Sequence, residues 1–494
     1  MSTNVADITT EKTTFGHPRG LFTLFTAEFG ERFSFYGMRA ILILYMTKFL
    51  GYDDALASGI YASYCVLVYM LPVIGGILAE KYLGYRRAII AGGVLMAAGQ
   101  LVLGLQAMLP GGSEFGLYAG LALLCVGNGF FKPNISSTVG KLYGQGDPRR
   151  DAGFTIFYMG INLGGMLAPM FCGFLAESIA WPLGFFMAGG GMLFGIGWFL
   201  KETHYLNGKA EPSDPSTLRF APRIYAGALL AAAVTGLLLW KSEILATLFI
   251  GTCAFTLFVL IKTAFSGDKI ARDRMMALIA LMGFHTLFWA FFEQAGSSLN
   301  LFTDRVLDRT VPVFGEIAAS QFQSVNGLFI LLLALPFSAL WTFLARVNKQ
   351  PSIPVKFALG LLQVGLGFGV LCFGMQTTVP GEKVALFYIL AMYLLHTSGE
   401  LCLSPVGLSA VTKLAPPKIV GFVMGAWFLT VAGGHELAGQ IAKLTRIDDT
   451  NQSIAGMLAV YQGVYQNVFV VSTVAGLLLL ALASPIRKLM HGIE

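Results

Sequence analysis

The sequence predicts an all-α polytopic membrane protein of fourteen helices: two six-helix bundles with a two-helix hairpin inserted between them. Three observations predict it. Hydrophobic residues make up 55% of the 494 positions and charged ones only 12%, with a mean hydropathy of +0.69, which excludes an ordinary soluble domain. Apolar stretches of about 20 residues, each long enough to cross a bilayer, recur along the whole chain. Stretches in the two halves of the chain also resemble one another at nearly one long offset.

Taken in order, stretches bounded by charge or by Pro/Gly turns predict six helices at approximately 21–50, 54–80, 86–109, 114–140, 152–178 and 181–200. A polar linker at 201–221 interrupts them, with Lys201, Lys209, Glu211, Pro212, Asp214, Pro215 and Arg219. Two tightly joined spans follow, 222–240 and 243–265, turning at Trp240-Lys241-Ser242-Glu243. Six more complete the chain: 273–301, 318–345, 353–376, 383–413, 417–443 and 456–485. The domains expected are an amino-terminal tail (1–20), an N-terminal bundle (21–200), the linker (201–221), the hairpin (222–265), a C-terminal bundle (273–485) and a tail (486–494).

Residues 1–20 are polar and lack an apolar signal core, which places the amino terminus in the cytoplasm. Of the 33 Lys and Arg, 23 then fall in inside segments and 7 in outside ones, with Arg32, Arg39 and Lys132 left in the membrane. That asymmetry supports the topology, with both termini cytoplasmic. The net charge of +6 carries no basic stripe with interleaved aromatics, so nucleic acid is not an expected partner. The six Cys lie in apolar segments without metal-type spacing, so no metal is expected and their reading is packing.

A shift of 272 residues aligns Gly127, Pro133, Ser137, Val139, Lys141 and Leu142 with Gly399, Pro405, Ser409, Val411, Lys413 and Leu414. A shift of 270 aligns Gly164, Leu167 and Ala168 with Gly434, Leu437 and Ala438. Two parallel halves separated by an inserted hairpin give this offset, and such halves are the logic of alternating-access transporters.

The first span holds Glu28, Glu31, Arg32 and Arg39 inside an apolar run from Leu21 to Leu50. Ionisable groups at membrane depth are costly unless they find partners in a wet cavity. At about 100° per residue these four and Phe35 share one face of the helix. Further on, Phe131-Lys132-Pro133-Asn134 puts a lysine beside a helix-interrupting proline, Phe292-Glu293-Gln294 buries an acid among aromatics, and Gly399-Glu400 does the same near Ser404-Pro405. An alternative for Lys132 is snorkelling to the cytoplasmic surface.

Depth sorts these charges. Arg39 and Glu293 lie late on outward-running helices, whereas Lys132 and Glu400 lie late on inward-running ones. Each pair joins an acid to a base on opposite halves, so the two pairs could be gates; static bridges are the alternative. Glu28, Glu31 and Arg32 put two acids beside one base, so one acid could take up a proton while Arg32 holds the other ionised. Four acids against three bases leave one negative charge, unless Glu436 is also within the membrane.

Other chemistry finds no motif. His435-Glu436 begins like a zinc-hydrolase HExxH, but Gly439 stands where the second His is needed, and neither a Walker A lysine nor a Gly-x-Ser-x-Gly elbow is present. Gly160 with Gly164, and Gly189-Gly190-Gly191, read as close helix packing rather than phosphate cradles. Tyr36, Tyr64, Tyr69, Tyr158, Asn162, Asn326, Trp289, Trp427 and Ser404 are the residues able to face a cavity.

The turn Gly75-Gly76-Ile77-Leu78-Ala79-Glu80-Lys81-Tyr82-Leu83-Gly84-Tyr85-Arg86-Arg87 resembles the loop between the second and third helices of the major facilitator superfamily, with Glu80 where Asp is usual. Glu28-x-x-Glu31-Arg32-Phe33-x-x-Tyr36, Phe131-Lys132-Pro133-Asn134, Phe157-Tyr158-x-Gly160-Ile161-Asn162-x-Gly164, Phe292-Glu293-Gln294-x-Gly296-Ser297-Ser298 and Gly399-Glu400-x-x-x-Ser404-Pro405 together resemble the proton-dependent oligopeptide transporter family. The resemblance spans about Phe15 to Pro485, and the hairpin looks like that of its bacterial members. It implies the major facilitator fold and proton-coupled uptake of di- and tripeptides, with the site between the bundles. It assigns proton coupling to Glu28, Glu31, Arg32 and Glu293. It places Arg32 and Lys132 near the peptide carboxylate, Glu400 at its amino group, and Arg39 with Glu293 at the outer side. Tyr36, Tyr69, Asn162, Asn326, Ser404 and Trp427 are implied to line the peptide site, with Trp289 shaping a side-chain pocket. There are three departures from the pattern: Phe35 replaces a common Tyr, Gly327 a common Pro, and His435-Glu436 a common Asn-Tyr.

The sequence therefore predicts a proton:peptide symporter of the cell inner membrane, working as one polypeptide, with no cofactor but the coupling proton. A symporter of the same fold for another anion, such as nitrate, is the alternative. A membrane-embedded hydrolase would need a nucleophile or metal cluster that the sequence does not offer.

Overall fold

The structure, a computed structural model, describes residues 13–144, 147–313 and 315–493. Residues 1–12 of the expected amino-terminal tail, and residue 494 of the other tail, lie outside the described residues. Fourteen long helices are present among those described. They are α1 (Arg19–Leu44, continued by a wider turn to Phe49), α2 (Asp54–Met70, then Pro72–Leu78), α3 (Tyr85–Gln106), α4 (Glu114–Leu142), α5 (Arg150–Phe174), α6 (Trp181–Glu202), α7 (Ala221–Trp240), α8 (Ser242–Ser266), α9 (Lys269–Phe292, then Ser298–Val306), α10 (Ser324–Arg346), α11 (Ile353–Thr377), α12 (Leu386–Leu414), α13 (Val420–Lys443) and α14 (Ile454–Leu489). Twelve are long and apolar enough to cross a membrane; the other two are α13 and α1, which carries the four charges.

Each predicted span finds its helix, with three differences in detail. The second helix breaks at Leu71, because Pro72 has no N–H to continue the ladder. The helix predicted at 273–301 is interrupted by a 3₁₀ turn at Glu293–Gly296, so Glu293 sits at a backbone break rather than on a regular turn. The last helix passes through Pro485 and ends at Leu489, leaving only a short tail.

The chain packs into two compact units. The first holds Met1–Ile41 and Leu71–Leu237, the second Leu42–Met70 and Leu238–Glu494. These units follow contacts, whereas the bundles expected from the sequence follow the repeat. In the first unit α3 and α4 meet backbone to backbone: a Cβ added to Gly127 would lie 2.7 Å from the Gly92 carbonyl oxygen. In the second, a Cβ on Gly399 would lie 2.9 Å from the Gly360 carbonyl oxygen. Gly127 and Gly399, equivalent in the repeat, thus do the same work in each unit.

The linker is fastened to the first unit. Arg86 N–H donates to the Ala210 carbonyl (2.9 Å), Lys209 to the Leu142 carbonyl (3.1 Å) and Thr217 to the Tyr82 carbonyl (2.8 Å). Arg86 and Arg87 both donate to Glu211, at 3.2 and 2.6 Å. In the second unit the hairpin helix α8 packs Phe249 against Val66 of α2 and Ala432 of α13, with Tyr69 and Cys253 beside them.

Candidate functional site

The first unit gathers the α1 charges into one buried cluster. The 3.6-residue period stacks Glu28 one turn below Arg32, whose Nε donates to Glu28 Oε1 at 2.7 Å and lies 2.9 Å from Glu31 Oε2. Glu28, Glu31 and Arg32 are each no more than 3% exposed. From α4, Asn128 Nδ2 donates to Glu31 Oε1 at 2.9 Å, and Lys132 follows one turn later, half-buried before Pro133. Gly164 of α5 lets this face seat closely, since a Cβ there would lie 2.9 Å from the Arg32 Cβ and the Phe29 carbonyl oxygen. Two acids share one guanidinium here, so a single proton would bring the trio to neutrality.

The same helix face continues through Phe35, Tyr36 and Arg39. Phe35 sets its ring edge-on to Tyr36 (5.2 Å) and 6.0 Å from the Arg32 guanidinium carbon, so it fills space where a tyrosine would add a hydroxyl. The Arg39 guanidinium lies 5.9 Å from the Tyr36 ring and is 7% exposed. Asn162, on α5, is buried and donates to the Tyr158 carbonyl at 3.0 Å. Of the other tyrosines considered, Tyr64 is buried and Tyr158 exposed.

The second unit contains two further groups. In the first, Asn326 of α10 donates both to Glu400 Oε2 (3.0 Å) and to Thr397 Oγ1 (3.1 Å) on α12. Ser404 lies one turn beyond Glu400, half-buried. In the second, Trp289 of α9 donates its indole N–H to His285 Nε2 (2.8 Å), and the Trp427 ring of α13 packs 4.1 Å from the His285 ring. Glu293 is buried at the α9 break, with His435 Nε2 3.7 Å from its Oε1, and the His435 ring packs against Tyr69 at 5.3 Å. Gly434 makes this possible: a Cβ there would lie 2.5 Å from the Trp289 Cβ.

Arg39 and Lys132 belong to the first unit, Glu293 and Glu400 to the second. Sequence reasoning missed Asn128, Thr397, His285 and His435 as members of these groups. Asn128, Thr397 and His285 lie three or four positions from Lys132, Glu400 and Trp289, the spacing that puts two residues on one helix face. His435 was noticed only as a failed HExxH start and as a departure from the family pattern.

The chain matches the model of the POT family over residues 86–458. It is 38% identical over 500 residues to an uncharacterized transporter, YclF, of Bacillus subtilis (strain 168), covering 98% of this chain and 97% of that one. It is 34% identical to a di-/tripeptide transporter of Lactococcus lactis subsp. lactis (strain IL1403), over 98% of this chain and 99% of the other. Among solved structures, it is similar to a crystal structure of a peptide transporter POT in complex with sulfate, with a TM-score of 0.82 and 37% identity over 98% of both chains.

Proposed function

The chain belongs to the POT family, and from that premise we propose that it is a proton-coupled symporter importing di- and tripeptides across the cell membrane by alternating access. It is a membrane transporter and not an enzyme. The observation that carries the proton part of the reading is the buried arrangement of Glu28 and Glu31 about the one Arg32. With both acids ionised, two carboxylates crowd one guanidinium in a water-poor place, and one proton relieves their repulsion. The family's peptide-transporting relative supports the substrate class. Glu400, held by Asn326, favours an amine-bearing substrate over an inorganic anion such as nitrate.

Within this reading, Glu28, Glu31, Arg32 and Glu293 couple the proton. Arg32 and Lys132 meet the peptide carboxylate and Glu400 its amino group. Tyr36, Tyr69, Asn162, Trp289, Asn326, Ser404 and Trp427 line the site. Arg39, Glu293, Lys132 and Glu400 are the gate residues, the proton is the only coupling species, and one polypeptide is the working unit. The bundles are 21–200 and 273–485, joined through the 201–221 linker and the 222–265 hairpin. The protein resides in the cell inner membrane with both termini cytoplasmic.

The test is uptake of labelled dipeptide into proteoliposomes holding the purified protein, with an imposed pH gradient. Accumulation that follows the gradient is expected. Accumulation indifferent to it, or none for any di- or tripeptide, rejects the reading.

A further inference from the structure

His285 has no role in the function just proposed, yet it stands between two residues that do. It is 2% exposed and lies one helical turn before Trp289 on α9. Trp289 Nε1 can only donate, so His285 Nε2, 2.8 Å away, must present its lone pair. The imidazole proton then sits on Nδ1 and is donated to Thr430 Oγ1 at 2.6 Å. Thr430 in turn donates its hydroxyl hydrogen to the Trp427 carbonyl at 2.6 Å. Each atom has one direction, and the neutral Nδ1–H tautomer is the form that satisfies all three bonds.

Packing adds to this relay. The Trp427 ring lies over the imidazole with centroids 4.1 Å apart and planes 35° apart. Glycines admit both residues, since a Cβ on Gly434 would come 2.5 Å from the Trp289 Cβ and one on Gly407 would come 2.3 Å from Cζ2 of the Trp427 indole. One imidazole therefore holds the Trp289 indole on α9 by a directed bond and packs against the Trp427 indole on α13.

We propose that His285 is a positioning residue that sets peptide side-chain selectivity by holding Trp289 and Trp427 in a single arrangement. The proposal rests on the reading that these two tryptophans line the peptide site. Selectivity for side-chain size depends on pocket walls that do not yield, and a wall held by directed hydrogen bonds yields less than one held by packing alone.

The experiment compares kcat/KM for Ala-Ala and Phe-Ala in proteoliposomes containing wild type, His285→Leu, His285→Gln or Thr430→Val. His285→Leu is expected to change the ratio of the two values by roughly tenfold, and Thr430→Val by roughly threefold in the same direction. His285→Gln, whose amide can accept from Trp289 and donate to Thr430, restores the ratio to within about twofold of wild type. The intrinsic fluorescence of His285→Leu shifts relative to wild type, and the shift shrinks in a Trp289→Phe background and vanishes when Trp427→Phe is added. An unchanged ratio in folded His285→Leu, or an equal loss of both peptides, overturns the proposal; should that variant not fold, an unchanged ratio in Thr430→Val does so. With wild-type uptake intact, those results leave the peptide reading standing. Absence of wild-type uptake of these two peptides and of every other di- or tripeptide overturns both.

Discussion

Arg305 grips Asp54 through two hydrogen bonds, Nη1 to Oδ2 and Nη2 to Oδ1, both 2.7 Å long. The residues are 251 positions apart, and the pair ties the first turn of α2 to the last turn of α9 within one unit. Ile447, just beyond α13, also donates its N–H to Asp54 Oδ2 at 3.2 Å. Nearby, Lys48 donates to Asp304 (2.8 Å) and Arg309 approaches Glu316 (2.8 Å). Three elements thus converge on Asp54, and this helps explain why Leu42–Met70 packs with the second unit.

Removing either member of this pair should loosen that end of α2. Asp54 is 6% exposed and the bond is bidentate, so Asp54→Asn or Arg305→Gln is expected to cost roughly 2 to 4 kcal/mol, below the full value for a buried pair because Arg305 keeps 22% of its side chain exposed. The melting temperature of the purified protein should fall in each single variant, and the exchange Asp54→Arg with Arg305→Asp should restore part of the loss. A melting temperature unmoved by Arg305→Gln would show that the pair contributes nothing.

Asn128 and Glu31 are expected to act as one device, since the Asn128 amide reaches Glu31 Oε1 at 2.9 Å. Glu31→Gln should abolish proton-driven accumulation of peptide while leaving counterflow exchange measurable. Asn128→Ala should weaken accumulation in the same sense, and counterflow exchange by the double variant should be no lower than that of Glu31→Gln alone, because linked residues do not add. Additive losses would separate the two.

Glu400 and Asn326 make a prediction about substrates. A carboxylate that meets a peptide ammonium contributes about 1.5 to 3 kcal/mol, which is roughly 10- to 150-fold in affinity. Glu400→Gln should raise KM for a dipeptide by that order. Asn326→Ala, which removes a 3.0 Å bond that orients the carboxylate, should raise it less. Competition by an N-acetylated dipeptide should be nearly unaffected by Glu400→Gln, and a parallel loss for both ligands would remove Glu400 from the amino-group site.

Some of this was legible in the residues alone, and the boundary has a physical origin. The fourteen helices were readable because bilayer thickness fixes the length of an apolar run, and the Glu28, Glu31 and Arg32 cluster because one helix period fixes which side chains share a face. Gly160 and Gly164 read correctly as packing positions: added Cβ atoms would come within 3.0 Å of Phe25 and 2.9 Å of the Phe29 carbonyl. His285 shares a face with Trp289, but its use depends on Thr430, 145 positions away on another helix. The Asp54 and Arg305 pair, and the approach of His435 to Glu293, likewise depend on how helices pack and leave no periodic trace. The break at Glu293–Gly296 falls where Glu293-Gln294-Ala295-Gly296-Ser297-Ser298 interrupts the apolar run, a turn signal passed over because apolar residues resume at Leu299.

The 201–221 segment, read from sequence only as a polar connection, carries the last prediction. Partial burial works to raise the Glu211 carboxyl, but the hydrogen bonds from Arg87 and Arg86 outweigh it and hold the group below its ordinary value of 4.5. A carboxylate whose folded value is depressed stabilises the folded contact at every pH above its unfolded value and loses that contribution as pH falls through the lower, folded one. The strap should therefore stay tightly held around Glu211 at neutral pH and down to about pH 4.5, and loosen there only below it. A fluorophore on Ser213→Cys, an exposed position two residues on, should show restricted anisotropy over that range and rising mobility in acid. Glu211→Gln keeps the shape but not the charge, so its label should be mobile already at neutral pH and insensitive to acid. Mobility in the wild type that begins near pH 6, or a Glu211→Gln label as restricted as the wild type, would show that the arginines do not hold the strap through this carboxylate.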